Sequence, residues 1–201
     1  MDRRKHMKKV LIAVLMVVAT LGICAQDKWY VSVLPGYQFS TKDADSGFVA
    51  SLDGGYFFTE NFGLHFAYMY NEGKFKYDVS PYGEFKFSKN YNLIEVGPEF
   101  RTKAGEKGEI YGQINVGYTF GSTSINEDYI VTVGGTPYLV HVTGDLKNDW
   151  TAGAAFGYRY FFNKKIGLDV QAAYHYLNGL KEGDFDAKNS WDARIGVTWK
   201  F

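Results

Sequence analysis

The sequence predicts an all-β protein: eight antiparallel strands closed into a transmembrane up-and-down β-barrel. Three observations carry this expectation. The final stretch, WDARIGVTWKF, is apolar at every second position (Trp191, Ala193, Ile195, Val197, Trp199, Phe201) and polar or small between. Successive side chains of a strand point to opposite faces, so this strand has one oily face and one wet face, as the wall between lipid and lumen requires. The same alternation recurs seven more times, and short connections near 59–61, 103–108 and 163–165 alternate with connections that are mostly longer. Finally, beyond the N-terminal region no apolar run approaches the about 20 residues of a membrane-crossing helix. A chain that enters lipid without such helices must close its strands to satisfy its backbone.

Strand one covers 29–39, with Trp29, Val31, Val33, Pro35, Tyr37 and Phe39 on one face. After the polar break TKDADS, strand two covers 48–58, with Phe48, Ala50, Leu52, Tyr56 and Phe58 toward lipid and Ser51 and Asp53 inside. A tight turn at 59–61 leads to strand three, where Leu64, Phe66, Tyr68 and Tyr70 face out and His65 faces in. Residues 71–90 lose the alternation and carry many charges; they read as a long loop with strand extensions near 75–79 and 85–87. Strand four covers 91–102 with Glu95 and Glu99 inward, and strand five 110–120 with Gln113 and Asn115 inward. The connection 121–148 is the longest, and its centre reads as a hairpin turning at Gly134-Gly135. Strand six (150–162) and strand seven (166–176) flank a tight turn at 163–165, with Arg159, Asp169 and His175 inward. The loop NGLKEGDFDAKNS precedes the closing strand.

Eight is an even number, and the parity places both ends of the barrel and all three short turns on the periplasmic side. The corners YFFTENFGL (56–64) and YFFNKKIGL (160–168) echo one another. Their aromatics are expected at the periplasmic interface, with Tyr68, Tyr70, Trp150, Tyr174, Tyr176 and Trp191 in the opposite girdle. Pro35 and Pro98 interrupt ladder bonding in mid-strand and predict a local bulge, with a lateral opening as the alternative.

At the N terminus, Arg3, Arg4, Lys5, Lys8 and Lys9 precede an apolar or small run over 10–23 that is too short to span a bilayer as a helix. This is the pattern of a secretory signal. Cleavage after Ala25 divides the chain into a signal, 1–25, and a barrel, 26–201. Ile23 before Cys24 departs from the small residue that a lipoprotein signal wants, and a mature chain starting at Gln26 has no cysteine and no disulfide. That chain carries 17 basic against 21 acidic residues, a net of −4, so no basic excess points to nucleic acid.

Taken together, the alternating strands, the terminal Phe201 and the alternating turn lengths resemble the small eight-stranded outer-membrane family of OmpA/OmpX and OmpW types, also described as porin-family or outer membrane protein beta-barrel domain proteins. The signal ending Ala25-Gln26 is similar to those common in Bacteroidetes. The last residues, Ile195, Val197, Trp199 and Phe201, look like the family's C-terminal assembly signal. The resemblance implies the outer membrane of a Gram-negative bacterium, contact with its lipid, and handling by the barrel-assembly machinery. It is weak on activity, because the fold hosts adhesins, structural proteins, small channels and a few lipid-modifying enzymes.

Inward charges are the remaining signal: Asp53, Glu95, Glu99, Arg159, Asp169, Asp192, Arg194 and Lys200, with His65 and His175. An eight-stranded barrel has room for side chains and little else, and buried charges need partners. The expectation is therefore a packed polar network of Asp53, His65, Glu95, Glu99, Arg159, Asp169 and Arg194 that plugs the lumen. If Lys164 centres its turn, Arg159 falls opposite Asp169. No catalytic residue, metal ligand set or cofactor site is expected, since no Ser or carboxylate is fixed beside a histidine and no His/Asp pair has ligand spacing. His141 falls in a loop. The function expected is structural or surface-interaction, through an extracellular or protein partner at 71–90 and 121–148. A narrow channel for small or hydrophobic solutes is the first alternative and a lipid-modifying enzyme, with His175 of interest, the second.

Overall fold

Alternation of oily and wet residues becomes the wall of a closed cylinder in the computed structural model. It describes residues 28–40, 44–78, 84–121, 124–133, 136–145, 148–178, 181–182, 185–186 and 189–201. The expected signal at 1–25, with Cys24, lies outside them. Its strands are β1 (Trp29–Ser40), β2 (Ala44–Asp45), β3 (Gly47–Phe57), β4 (Phe62–Asp78), β5 (Glu84–Lys103), β6 (Gly108–Phe120), β7 (Ser124–Val133), β8 (Thr136–Asp145), β9 (Asp149–Phe161), β10 (Ile166–Leu177), β11 (Lys181–Glu182), β12 (Phe185–Asp186) and β13 (Asn189–Lys200). Eight of them, β1, β3, β4, β5, β6, β9, β10 and β13, pair antiparallel in a ring, and β1 with β13 closes it. At the seam the Phe201 N–H donates to the Trp29 carbonyl at 2.9 Å. No helix among the described residues is long and apolar enough to cross a membrane.

Burial is inverted relative to a water-soluble domain, where charged residues are the ones left outside. Ile114 and Phe156 are 62% exposed, whereas Glu99 and Asp169 are 0% exposed. Such a surface is stable only where lipid covers it. Aromatic pairs mark its two borders: Trp29 with Tyr56 and Phe62 with Phe100 near the turns, Trp150 with Tyr176 and Tyr174 with Trp191 at the far end.

The two echoing corners are built alike. Phe58 and Thr59 donate to the Phe62 carbonyl, and Phe162 and Asn163 to the Ile166 carbonyl. The Thr59 Oγ1 accepts from Phe62 N at 3.0 Å, and the Asn163 Oδ1 from Ile166 N at 2.8 Å. A side-chain acceptor that closes its own turn is the reason Thr and Asn suit this position. In the third turn, Gly105 takes the left-handed φ of 81° that favours glycine.

Three expectations are corrected. The stretch 71–90 is mostly strand: β4 and β5 stay paired from Phe62↔Phe100 to Asp78↔Glu84. Beyond the hydrocarbon both faces meet water, so alternation lapses while backbone pairing continues. For the same reason His141 belongs to β8, whose hairpin with β7 pairs Val133 with Thr136 around residues 134–135. Nor do the prolines create a bulge or an opening. The β1–β13 register passes from Val33↔Val197 to Gly36↔Arg194, and the β5–β6 register from Val96↔Val116 to Glu99↔Gln113, with no residue inserted. Glycines let the backbones close up there: a Cβ on Gly97 would lie 1.7 Å from the Ile114 carbonyl oxygen, and one on Gly196 1.8 Å from that of Val33.

Candidate functional site

Strand parity sends the charged residues inward, and the register sorts them into layers along the barrel axis. All seven residues of the expected network are buried in the lumen. Nearest the turns, β10 pairs Asp169 with Arg159 of β9. The Arg159 Nε donates to Asp169 Oδ2 at 3.0 Å, and its Nη1 to Glu99 Oε1 at 2.6 Å. Tyr30 and Tyr111 sandwich the guanidinium, each ring centroid 3.8 Å from Cζ. Their hydroxyls then donate to the same two carboxylates, Tyr30 to Glu99 and Tyr111 to Asp169, the latter at 2.7 Å. Ser32 donates to Asp169 and Gln113 to Glu99. One cation, two anions and four neutral donors thus form a layer in which each carboxylate oxygen has a hydrogen-bond donor.

Glycine makes the tyrosines possible. A Cβ on Gly55 would lie 2.3 Å from Tyr30 Cε1, and one on Gly157 2.3 Å from Tyr111 Cζ. Each ring lies flat over the bare backbone of the neighbouring strand, and aromatic–cation stacking of this kind strengthens when desolvated.

The second layer is farther from the short turns. His175 has a carboxylate on each ring nitrogen: Glu95 Oε1 is 3.0 Å from Nδ1 and Asp192 Oδ2 is 2.9 Å from Nε2. The Arg194 Nε donates to Asp192 Oδ1 at 2.7 Å, while its Nη1 reaches Ser51 Oγ at 2.8 Å and the Met69 sulfur at 3.0 Å. Asp53 is less closely held, 3.9 Å from Arg194 and 3.7 Å from His65. His65 Nδ1 contacts Asn115 at 3.3 Å. Asp53 Oδ1 and His65 Nε2 have no hydrogen-bond partner among the described residues. Gln38, bonded to Tyr91 and Ser190, lies above.

At the mouth beside the short turns, Glu109 holds Lys200 on one oxygen and has Arg101 3.6 Å from the other. Arg101 lies 3.5 Å over the Phe57 ring, and the Lys200 ammonium 3.8 Å over Phe161. These two phenylalanines point inward, unlike the interface aromatics expected of the corners, whose outward members are Tyr56, Phe58, Tyr160 and Phe162. Parity assigns them inward, but an aromatic in a wet lumen has no signal of its own in the sequence. Arg101 shares the inward parity of Glu95 and Glu99 in strand four but was not counted among the inward charges, and Glu109 falls just before the expected strand five, where alternation fades at the turn. Of the remaining candidates, Ile195, Val197 and Trp199 lie exposed on the outside of β13, with Phe201 half-buried at the seam. No group of His, Cys, Asp and Glu among the described residues has the geometry to hold a metal ion.

Residues 10–201 match the family described as outer membrane protein beta-barrel domain. No protein of curated function matches the sequence. Several solved structures share the fold. Neisserial surface protein A aligns with a TM-score of 0.51 and 18% identity, covering 86% of this chain and 97% of that one. The N-terminal barrel domain of OprF from Pseudomonas aeruginosa gives 0.54 and 17%, covering 88% and 98%. OprG from the same organism gives 0.55 and 11%, covering 88% and 97%. At such identities the likeness concerns the fold alone, and it does not bear on the Bacteroidetes-like signal ending.

Proposed function

This chain belongs to the outer membrane protein beta-barrel domain family and resides in the outer membrane of a Gram-negative bacterium; from that premise we propose a structural or surface-interaction role, non-enzymatic, with the lumen plugged by its own side chains. The Arg159 layer is the observation that carries the plug. Its guanidinium is ion-paired in the plane and stacked between two tyrosines above and below, and opening a path would strand buried charges. Planar-bilayer recording of the refolded protein tests this: the expected trace is flat, and a large steady conductance in the parent would transfer the assignment to a channel.

The channel reading has its own support. Asp53 Oδ1, His65 Nε2, Gln171 Oε1 and Thr198 Oγ1 are buried without a hydrogen-bond partner among the described residues, and polar sites of this kind hold internal water. For the enzyme reading, His175 is less suited as a general base, because both of its ring nitrogens already serve carboxylates. The surface role rests on the outer hairpins. β4 and β5 remain paired through 71–90, and β7 with β8 pairs only within itself among the described residues. A paired ribbon above the membrane offers strand edges to an extracellular or protein partner. Protease added to whole cells should cut within 71–90 or 121–148 and spare 59–61 and 163–165. Toward the inside, Ile195, Val197, Trp199 and Phe201 would be read by the barrel-assembly machinery, and deletion of Phe201 should lower the inserted fraction.

A further inference from the structure

The turns surround a space that the plugged lumen does not use. At the periplasmic mouth, floored by Glu109 and its two cations, lies a cavity of about 890 Å³. Its lining carries five cations, Arg101, Lys103, Lys107, Lys164 and Lys200, against three carboxylates, Glu60, Glu106 and Glu109. The mature chain as a whole has the opposite balance, so positive charge is concentrated here. Two of the cations are fixed in place. Arg101 and Lys200 are each only 12% exposed, and both depend on the single carboxylate of Glu109. Phe57 and Phe161 back them from the barrel side. Arg101 is further anchored by its Nε bond to the Glu60 carbonyl at 2.9 Å.

A poorly hydrated floor with two cations and one anion has an unmatched positive charge, and charge in such a setting calls for a counter-charge. Beyond it, Lys107 and Lys164 come from turns that the backbone ties to the barrel, since Phe161 N donates to the Lys107 carbonyl and Lys200 N to the Lys165 carbonyl, each at 2.7 Å. The walls concentrate the field of these groups over the opening, as charged clefts with low-dielectric sides do. We infer that this vestibule is a binding site for a phosphate or carboxylate end group presented from the periplasmic side. The anion completes the Arg101–Glu109–Lys200 floor and is clasped by the turn lysines. The volume admits a group carried on a larger flexible molecule, and Glu60 and Glu106 at the rim favour a ligand that also bears a donor or a cation.

The test uses the mature chain in phosphatidylcholine nanodiscs, titrated with inorganic pyrophosphate and followed by amide NMR shifts. Saturable shifts are expected in 104–107, 162–165 and Lys200, with none in β7–β8. Lys107→Gln combined with Lys164→Gln should weaken binding at least tenfold. Both side chains are exposed on turns, and unchanged β10 amide shifts will show that the variant is folded. A second arm replaces pyrophosphate by phosphatidylglycerol in the nanodisc. Shifts in the same amides would identify a lipid headgroup as the source, and their restriction to pyrophosphate would identify a soluble anion; either result upholds the site. Shifts that do not saturate, that spread to exposed lysines away from the mouth, or that are the same size in the double variant would overturn it.

Discussion

Arg159 and Arg194 are both buried guanidiniums in the same narrow lumen, yet their surroundings differ. Arg159 has two carboxylates within 3.0 Å and a tyrosine on each face. Arg194 has one carboxylate at 2.7 Å, a serine, a methionine sulfur, and a second carboxylate only at 3.9 Å. The inner layer is saturated: moving any member breaks several bonds. Around Arg194 the polar atoms outnumber their direct partners, and Asp53 and His65 keep unmatched positions. Water can fill such positions with little rearrangement. The lumen thus has a rigid waist toward the turns and an adaptable upper compartment.

The largest effect should come from the waist. Arg159→Met leaves Glu99 and Asp169 buried without their cation, a loss of about 3–5 kcal/mol by the usual penalty for breaking a buried pair; urea unfolding in lipid vesicles measures it. A loss no greater than that of the matching Arg194→Met would erase the distinction between the layers. Asp53→Ala in the upper compartment should cost less, about 1–3 kcal/mol, because its long contacts to Arg194 and His65 are already shared with other groups. If it equals Arg159→Met in the same assay, the upper layer is as rigid as the lower. Met69→Leu, which keeps volume and forfeits only the sulfur contact, should stay below about 1.5 kcal/mol. Glu60→Ala is the reference: an exposed turn side chain whose removal should change stability by within about 0.5 kcal/mol, read from the same unfolding curves.

The waist was more legible in the sequence than its surroundings. Counting outward from Lys164 sets Arg159 against Asp169, the pair found in the β9–β10 register, because a three-residue turn leaves no freedom in hairpin numbering. Parity likewise sends Glu95, Glu99 and Arg194 inward. What the alternation does not encode is which strand partner a side chain reaches across the lumen. The contacts of Glu99 with Tyr30 and of Glu95 with His175 link strands that are not neighbours, and those depend on barrel tilt. The tyrosine sandwich was hidden for a related reason: parity puts Tyr30 on the face of Ser32 and Gln38, and Tyr111 on that of Gln113, but only Gly55 and Gly157 reveal where their rings lie. Outside the membrane, where both faces are wet, the extensions of β4 and β5 were legible only near 75–79 and 85–87, because no binary pattern marks the rest.

The repeated corner carries one more implication. Phe57 facing Gly63 and supporting Arg101 is matched, residue for residue, by Phe161 facing Gly167 and supporting Lys200. Three consecutive strands, β3–β5 and β9–β13 by way of β10, are therefore two renderings of one unit about a pseudo-dyad. The match is confined to the corners: one step deeper the counterpart of Arg159 is Gly55, with Tyr30 in the room a side chain there would need, and the counterpart of Asp169 is His65. Perfect two-fold symmetry would bring two guanidiniums, each with its own carboxylates and stacked tyrosines, to one cross-section. A barrel this narrow admits one, so its two halves must differ, and a single chain, unlike a pair of identical half-chains, can encode that difference.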